Sequence, residues 1–255
     1  MARTEADDDF GNTFYSEIDV IDAGSPAPKP VSAAGNESIR EEFTAGRGRY
    51  KIVIDTSKTP DLTGWTRTNL APVIMEWYPK IATLLADEGY EAARKILVVF
   101  SGDMKGVAET GGMRIRCGAA WFRENLETEA KGAVVHELAH VAQGYGARPA
   151  FSHTPSNPLW LVEGIADYVR WFKYEPESRG AMIDSRFIRD VRYDAGYRTT
   201  ANFLNWVSGK HGEHVVTELN AAMRKGRYTD GIWKELTGHS LPDLAGSWKD
   251  DLRKN

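Results

Sequence analysis

A single cysteine, Cys117, in a chain of 255 residues excludes an internal disulfide framework. Its ordinary role is that of a small buried hydrophobe rather than a reactive thiol. No apolar stretch approaches the roughly 20 residues that cross a membrane as a helix. The start, MARTEADDDF, lacks the apolar core of a signal peptide, and a cytosolic protein or a secreted one trimmed of its leader would both begin this way. Neither sign of charge dominates: 32 Lys and Arg stand against 36 Asp and Glu, for a net charge of -4. That balance leaves no basic footprint for nucleic acid, so neither nucleic acid nor a membrane is expected as a partner. What is present suffices for a folded core, with 42% hydrophobic and 11% aromatic residues.

Residues 1–46 differ from the rest. They begin with Asp7, Asp8 and Asp9 and continue into a stretch from Gly24 to Asn36 rich in Pro, Ala, Ser and Gly, a composition that rarely packs. A flexible or extended tail is expected there, with at most a short strand around Ile18 to Ile21, followed by one domain over 47–255. From Tyr50 the pattern alternates, with Ile52 and Ile54 on one side of a strand. Leu70 to Glu88 carries a helical stripe through Val73, Ile74, Trp77, Ile81, Leu84 and Leu85, with Pro79 a point at which it can kink. Lys95 to Ser101 and Gly112 to Cys117 read as strands, the second preceded by a Gly111-Gly112 turn. A helix from about Glu127 should stop at Gly144. After a Pro-containing loop, Leu159 to Tyr174 reads as a helix, and the apolar spacing from Phe203 onward gives several more. The expected class is a single α+β domain, strands first and helices last.

The chemistry concentrates in two clusters. His136-Glu137-Leu138-Ala139-His140 places two imidazoles one helical turn apart, on one face, where both can bind one ion while Glu137 leans over it. Catalytic zinc takes three protein ligands plus water, lowers the pKa of that water to about 7 and polarises a carbonyl. The third ligand is expected from Glu163-Gly164-Ile165-Ala166-Asp167, whose carboxylates are also one turn apart. Glu163 is the preferred ligand for its longer reach and Asp167 the preferred brace on a histidine, with the opposite assignment open. A third histidine is disfavoured, because Gln143 and Gly146 stand where the extended H-E-x-x-H-x-x-G-x-x-H pattern needs Gly and His. Glu137 is expected as general base. For an oxyanion donor the candidates are Tyr145, Tyr168 and Tyr197; Tyr168 suits core packing, while Tyr197 sits in a Gly-flanked segment that can aim it into a cleft. His153, in the loop, is expected at the rim or in contact with substrate. The strand with Met113 and Ile115 is expected to offer an edge on which an extended peptide pairs.

These segments, in order GDMKGVAET, HELAHVAQ, LVEGIADYVRW, DAGYRTTANFLNWV and LTGHSLPDLAGSW, resemble the basic secretory protein family of plants and its microbial relatives, regarded as zincin-type metallopeptidases. The resemblance runs from about Tyr50 to Leu252. HELAH is common to many zincins, whereas LVEGIADYVR followed by GYRTTANFL is far more specific. The resemblance implies a zincin-like fold with a small N-terminal sheet, one zinc ion held by His136, His140 and Glu163, and Glu137 as catalyst. It also implies a secreted or periplasmic location. The chain's mild acidity departs from the basicity for which the family is named. The expected function is a monomeric, zinc-dependent endopeptidase acting on peptides or proteins. The alternatives are a metal-dependent amidase or deacylase on a non-peptide or glycosylated substrate, which a narrow pocket would favour, and a silent zincin-fold binding protein, against which the intact Glu137 argues.

Overall fold

The computed structural model describes residues 39–145 and 157–254. Strands β1 (Arg40–Ala45) and β2 (Tyr50–Asp55) form an antiparallel hairpin with Arg40 opposite Asp55 and Ala45 opposite Tyr50. Its turn requires left-handed backbone, which Gly46 (φ 58°) and Gly48 (φ 84°) adopt without steric cost. The domain boundary expected at residue 47 is therefore corrected, since residues 40–45 belong to the sheet. Their sequence, REEFTA, conceals this because only Phe43 and Ala45 supply apolar groups to the inner face, and charge elsewhere is how edge strands discourage further pairing. The short strand expected at 18–21 lies outside the described residues.

From β2 the chain crosses over through α1 (Thr63–Trp65), a π-helical stretch (Thr66–Leu70) and α2 (Ala71–Leu84) into β3 (Lys95–Ser101), which lies parallel to β2. Helix α2 buries Ala71, Ile74, Tyr78, Ile81 and Ala82, the three-and-four spacing of a helix with one face in the core. Pro79 lies inside α2, which continues past it to Leu84.

Next, β4 (Ala108–Gly111) turns through Gly112 (φ 62°) into β5 (Arg114–Gly118). Strand β5 inserts between β3, to which it is parallel, and β4, to which it is antiparallel, giving the order β1-β2-β3-β5-β4. The expected edge is thereby moved: β5 is an interior strand, Ile115 is fully buried, and β4 is the outer one. Four residues reading Ala-Glu-Thr-Gly carry too little apolar alternation to announce a strand, so the hairpin that covers β5 was not legible.

Helix α3 (Ala119–Asn125) leads to α4 (Ala130–Gln143), which packs against α2, β4, β5 and α5 (Leu159–Tyr168). Only Lys131 and His140 of α4 escape full burial. The helix stops at Gly144 in the left-handed conformation (φ 65°), where a Cβ would lie 2.3 Å from the Tyr90 hydroxyl. After α5 the helix continues as a π-helical stretch (Val169–Tyr174), which buries Arg170 between Glu129, at the head of α4, and Glu175. The C-terminal helices are α6 (Tyr197–His211), α7 (His214–Arg224), α8 (Gly231–Thr237) and α9 (Leu241–Leu252). From α7, Arg224 stacks 3.5 Å from the Tyr90 ring centroid, pairs with Asp87 and donates to the carbonyls of Ala142 and Gln143. Those carbonyls end α4 and lack helical partners of their own.

Candidate active site

Helix α4 presents His136 and His140 one turn apart, with their Nε2 atoms 3.0 Å from each other. Glu163, on α5, brings Oε2 to 3.2 Å from each of them. Tetrahedral zinc bound at about 2.0–2.1 Å keeps its ligand atoms roughly 3.3 Å apart, so this triangle has the dimensions of three corners of such a site. These three residues also form the one cluster of potential metal donors found among the described residues.

The outer nitrogens of both rings settle what the inner ones present. His136 Nδ1 is 2.6 Å from Asp167 Oδ1, and a carboxylate can only accept, so Nδ1 carries the proton. His140 Nδ1 is 2.7 Å from Gln143 Oε1, while Gln143 Nε2 donates to the Val162 carbonyl at 2.8 Å. That carbonyl fixes the amide's orientation, which in turn puts the His140 proton on Nδ1. With both rings neutral, the two Nε2 lone pairs would converge on a carboxylate oxygen, an arrangement that repels itself unless a metal ion or a proton lies among the three atoms. The residues fit a divalent metal on this ground.

The electrostatics agree. Burial opposes charge on His136, but the charge and hydrogen bond of Asp167, the Glu163 hydrogen bond and the charge of Glu137 prevail and push its pKa up to about 10. Burial likewise opposes charge on Glu163, yet hydrogen bonds and charge from both histidines hold its carboxyl well below the usual range. A site that retains a proton so firmly favours positive charge in general.

Glu137 lies on the same helix and lines the same cleft, of about 620 Å³, as His136, His140, Glu163 and Tyr197. Its Oε2 accepts from the Thr110 hydroxyl at 2.6 Å. Tyr197 is the first residue of α6 and has a left-handed backbone (φ 44°), a conformation that costs a non-glycine residue about 1–2 kcal/mol. Its ring lies nearly parallel to that of His136, 18° apart at a centroid distance of 6.2 Å. The chain entering α6 is held by Thr200, whose hydroxyl donates to the Tyr193 carbonyl and accepts from the Gly196 amide. Gly164, beside Glu163, lets Thr200 come this close, because a Cβ there would stand 2.1 Å from Thr200 Cγ2.

Tyr145 also lines the cleft and donates to Asn220 Oδ1 at 2.7 Å. Tyr168 is buried in the core. Met113 is exposed in the hairpin turn and Ile115 is buried beneath it, so neither lines the cleft; Ala108 and Thr110 of β4 do. His153 lies outside the described residues. Two polar residues at the site were not anticipated, Thr110 and Gln143. Gln143 left a signal, since it follows His140 by three positions on one helix; Thr110 left none. Cys117 is fully buried, and burial followed by the charge of Glu137 pushes its thiol pKa well up, so it is an unreactive core side chain.

An α+β chain that converges two histidines and a glutamate from successive helices, with a further glutamate between the histidines, has a metallopeptidase-like site. The family described as peptidase of plants and bacteria, the basic secretory protein family, matches residues 69–250, and the chain belongs to it. No curated protein matches the chain. Among solved structures, a two-domain M1 zinc metallopeptidase variant bound to L-tryptophan aligns over 85% of this chain and 51% of its own, at 13% identity and a TM-score of 0.48. A two-domain M1 zinc metallopeptidase variant bound to L-arginine aligns over the same shares at 15% identity and a TM-score of 0.42. An M1 zinc metallopeptidase variant from Deinococcus radiodurans, bound to a Tyr-Ser-Ala substrate, gives 13% identity, a TM-score of 0.42 and again 85% and 51%. The chain thus spans about half the length of these structures.

Proposed function

We infer that this chain is a zinc-dependent endopeptidase of zincin-like fold, carried by one observation: two imidazole nitrogens and a carboxylate oxygen meet within 3.2 Å with both outer ring protons already engaged. His136, His140 and Glu163 would hold the ion. Zinc there supplies a Lewis acid for the scissile carbonyl and acidifies water at neutral pH. Glu137 accepts a proton from the attacking water and delivers it to the leaving amine. The Tyr197 hydroxyl donates to the oxyanion, and the backbone strain at this residue is consistent with a side chain aimed for a task. Asp167 and Gln143 keep the histidine protons on Nδ1. An extended peptide adds as a further strand along β4, the outer strand lining the cleft.

The open, partly polar cleft suits a polypeptide better than a small acyl substrate. We place the enzyme outside the cytoplasm, secreted or periplasmic, on the character of its family, and working as a monomer on peptides or proteins. No helix among the described residues is long and apolar enough to cross a membrane. The test joins metal analysis to turnover. Mildly purified protein should hold close to one zinc per chain and cleave a mixed-protein substrate, losing this to a chelator and to Glu137→Ala. Protein without bound zinc, or cleavage that persists in Glu137→Ala, would sink the assignment.

A further inference from the structure

We propose that Thr110 is a positioning residue for Glu137, holding one carboxylate oxygen so that the other is presented for proton transfer. The proposal rests on the peptidase reading. The Thr110 hydroxyl is 2.6 Å from Glu137 Oε2 and 3.2 Å from the Glu137 carbonyl oxygen, and its one proton goes to the nearer of these two acceptors. The shorter contact has the length of a charge-assisted O–H···O⁻ bond, in which Thr110 keeps its proton and points it at the carboxylate.

Geometry gives this bond its significance. A glutamate has three side-chain torsions, and a base must lie within about 2.6–3.2 Å of the proton it takes. Packing fixes the stem of Glu137, which sits on the most deeply buried helix of the sheet side. The carboxylate, in contrast, faces the cleft, where packing cannot fix it. Thr110 comes from a different element, β4, and lines that cleft beside Glu137. In register it stands opposite Ile115, whose full burial anchors this part of the hairpin to the core. The base is therefore tied to the sheet edge along which the substrate is proposed to lie. Seating the peptide and aiming the base become properties of one short strand.

A merely structural bond would stabilise the protein and leave chemistry alone, so the experiment separates those roles. Thr110→Val keeps the branched shape and removes the hydroxyl, while Thr110→Ser keeps the hydroxyl. Both are compared with wild type in zinc content, thermal midpoint, kcat and KM. Binding of a peptide hydroxamate, whose acidic proton calls on the same base, adds a readout that needs no turnover. Thr110→Val is expected to lower kcat by roughly 10- to 100-fold with KM within about twofold and zinc content equal. Hydroxamate affinity should fall by roughly tenfold, and Thr110→Ser should recover most of both losses. An unchanged kcat, a loss confined to KM or zinc content, or a Ser variant no better than Val would overturn the proposal. If wild type itself cleaves nothing that Glu137→Ala spares, the peptidase reading falls and takes this role with it. An active wild type with an equally active Thr110→Val variant removes the role of Thr110 alone.

Discussion

Asp167 Oδ1 lies 2.6 Å from His136 Nδ1, and both side chains are buried. The carboxylate does two things at once, orienting the ring and making its inner nitrogen a better electron donor. Asp167→Asn keeps an acceptor but removes the charge, and is expected to weaken zinc binding by roughly 10- to 100-fold. Asp167→Ala, which strands a buried N–H, should weaken it further. Competition with a fluorescent chelator at neutral pH measures both, and an Asn variant binding like wild type would reduce Asp167 to a purely steric guide.

Gln143 ties the other histidine to the chain just ahead of Glu163, through the Val162 carbonyl. Gln143→Leu leaves the His140 N–H without its acceptor, while the Val162 carbonyl keeps its place in the α5 ladder. Stability should drop by about 1–3 kcal/mol and zinc affinity by roughly tenfold or more. Urea unfolding of the zinc-free protein isolates the first effect, and chelator competition on folded protein reads the second.

Gly164→Ala should destabilise the fold even though alanine is the better helix former. The added Cβ would stand 2.1 Å from Thr200 Cγ2, and overpacking of this kind costs about 1–3 kcal/mol. Thr200→Ser removes the offending methyl and keeps the hydroxyl that holds Tyr193 and Gly196. The double variant is therefore expected to regain part of the lost stability in urea, since Thr200 Cβ would still stand 2.7 Å from the new methyl group. Simple addition of two losses would place the cause elsewhere.

Acid sensitivity should reside partly in the first hairpin. Burial raises the Asp55 carboxyl pKa, but hydrogen bonds from Ser57 and Arg40 and the charge of Arg40 outweigh it and hold the group below its ordinary 3.8. A depressed folded pKa contributes stability above the unfolded value, and that contribution is lost as pH falls through the folded one. The thermal midpoint of wild type should exceed that of Asp55→Asn by a constant margin near neutrality, and the margin should shrink below about pH 4. A margin that is flat down to pH 2 would show that Asp55 is not the titrating group.

The residues that sequence made visible share a property: their partners lie one helical turn away. His136 with His140, and Glu163 with Asp167, announce themselves because a helix converts spacing directly into a face. Gly144 likewise marks the end of α4 from its own conformational freedom. Thr110, the β4 edge and the membership of residues 40–45 in the sheet were hidden for the opposite reason. Strand order depends on pairing between distant segments, and neither AETG nor REEFTA carries enough apolar alternation to declare its face. Placing Met113 and Ile115 at the substrate followed from taking β5 for the edge, a step that one unseen four-residue strand was enough to invert.

The guanidinium of Arg224 closes the end of α4 from 81 residues downstream, and it also grips Asp87, 137 residues upstream of itself. During synthesis at about 5–20 residues per second, the motif helix must wait several seconds before this clasp exists. The nascent chain therefore passes through an interval with its histidines made but their helix unfastened. The C-terminal end of the motif helix is in this way fastened only once α7 has been made.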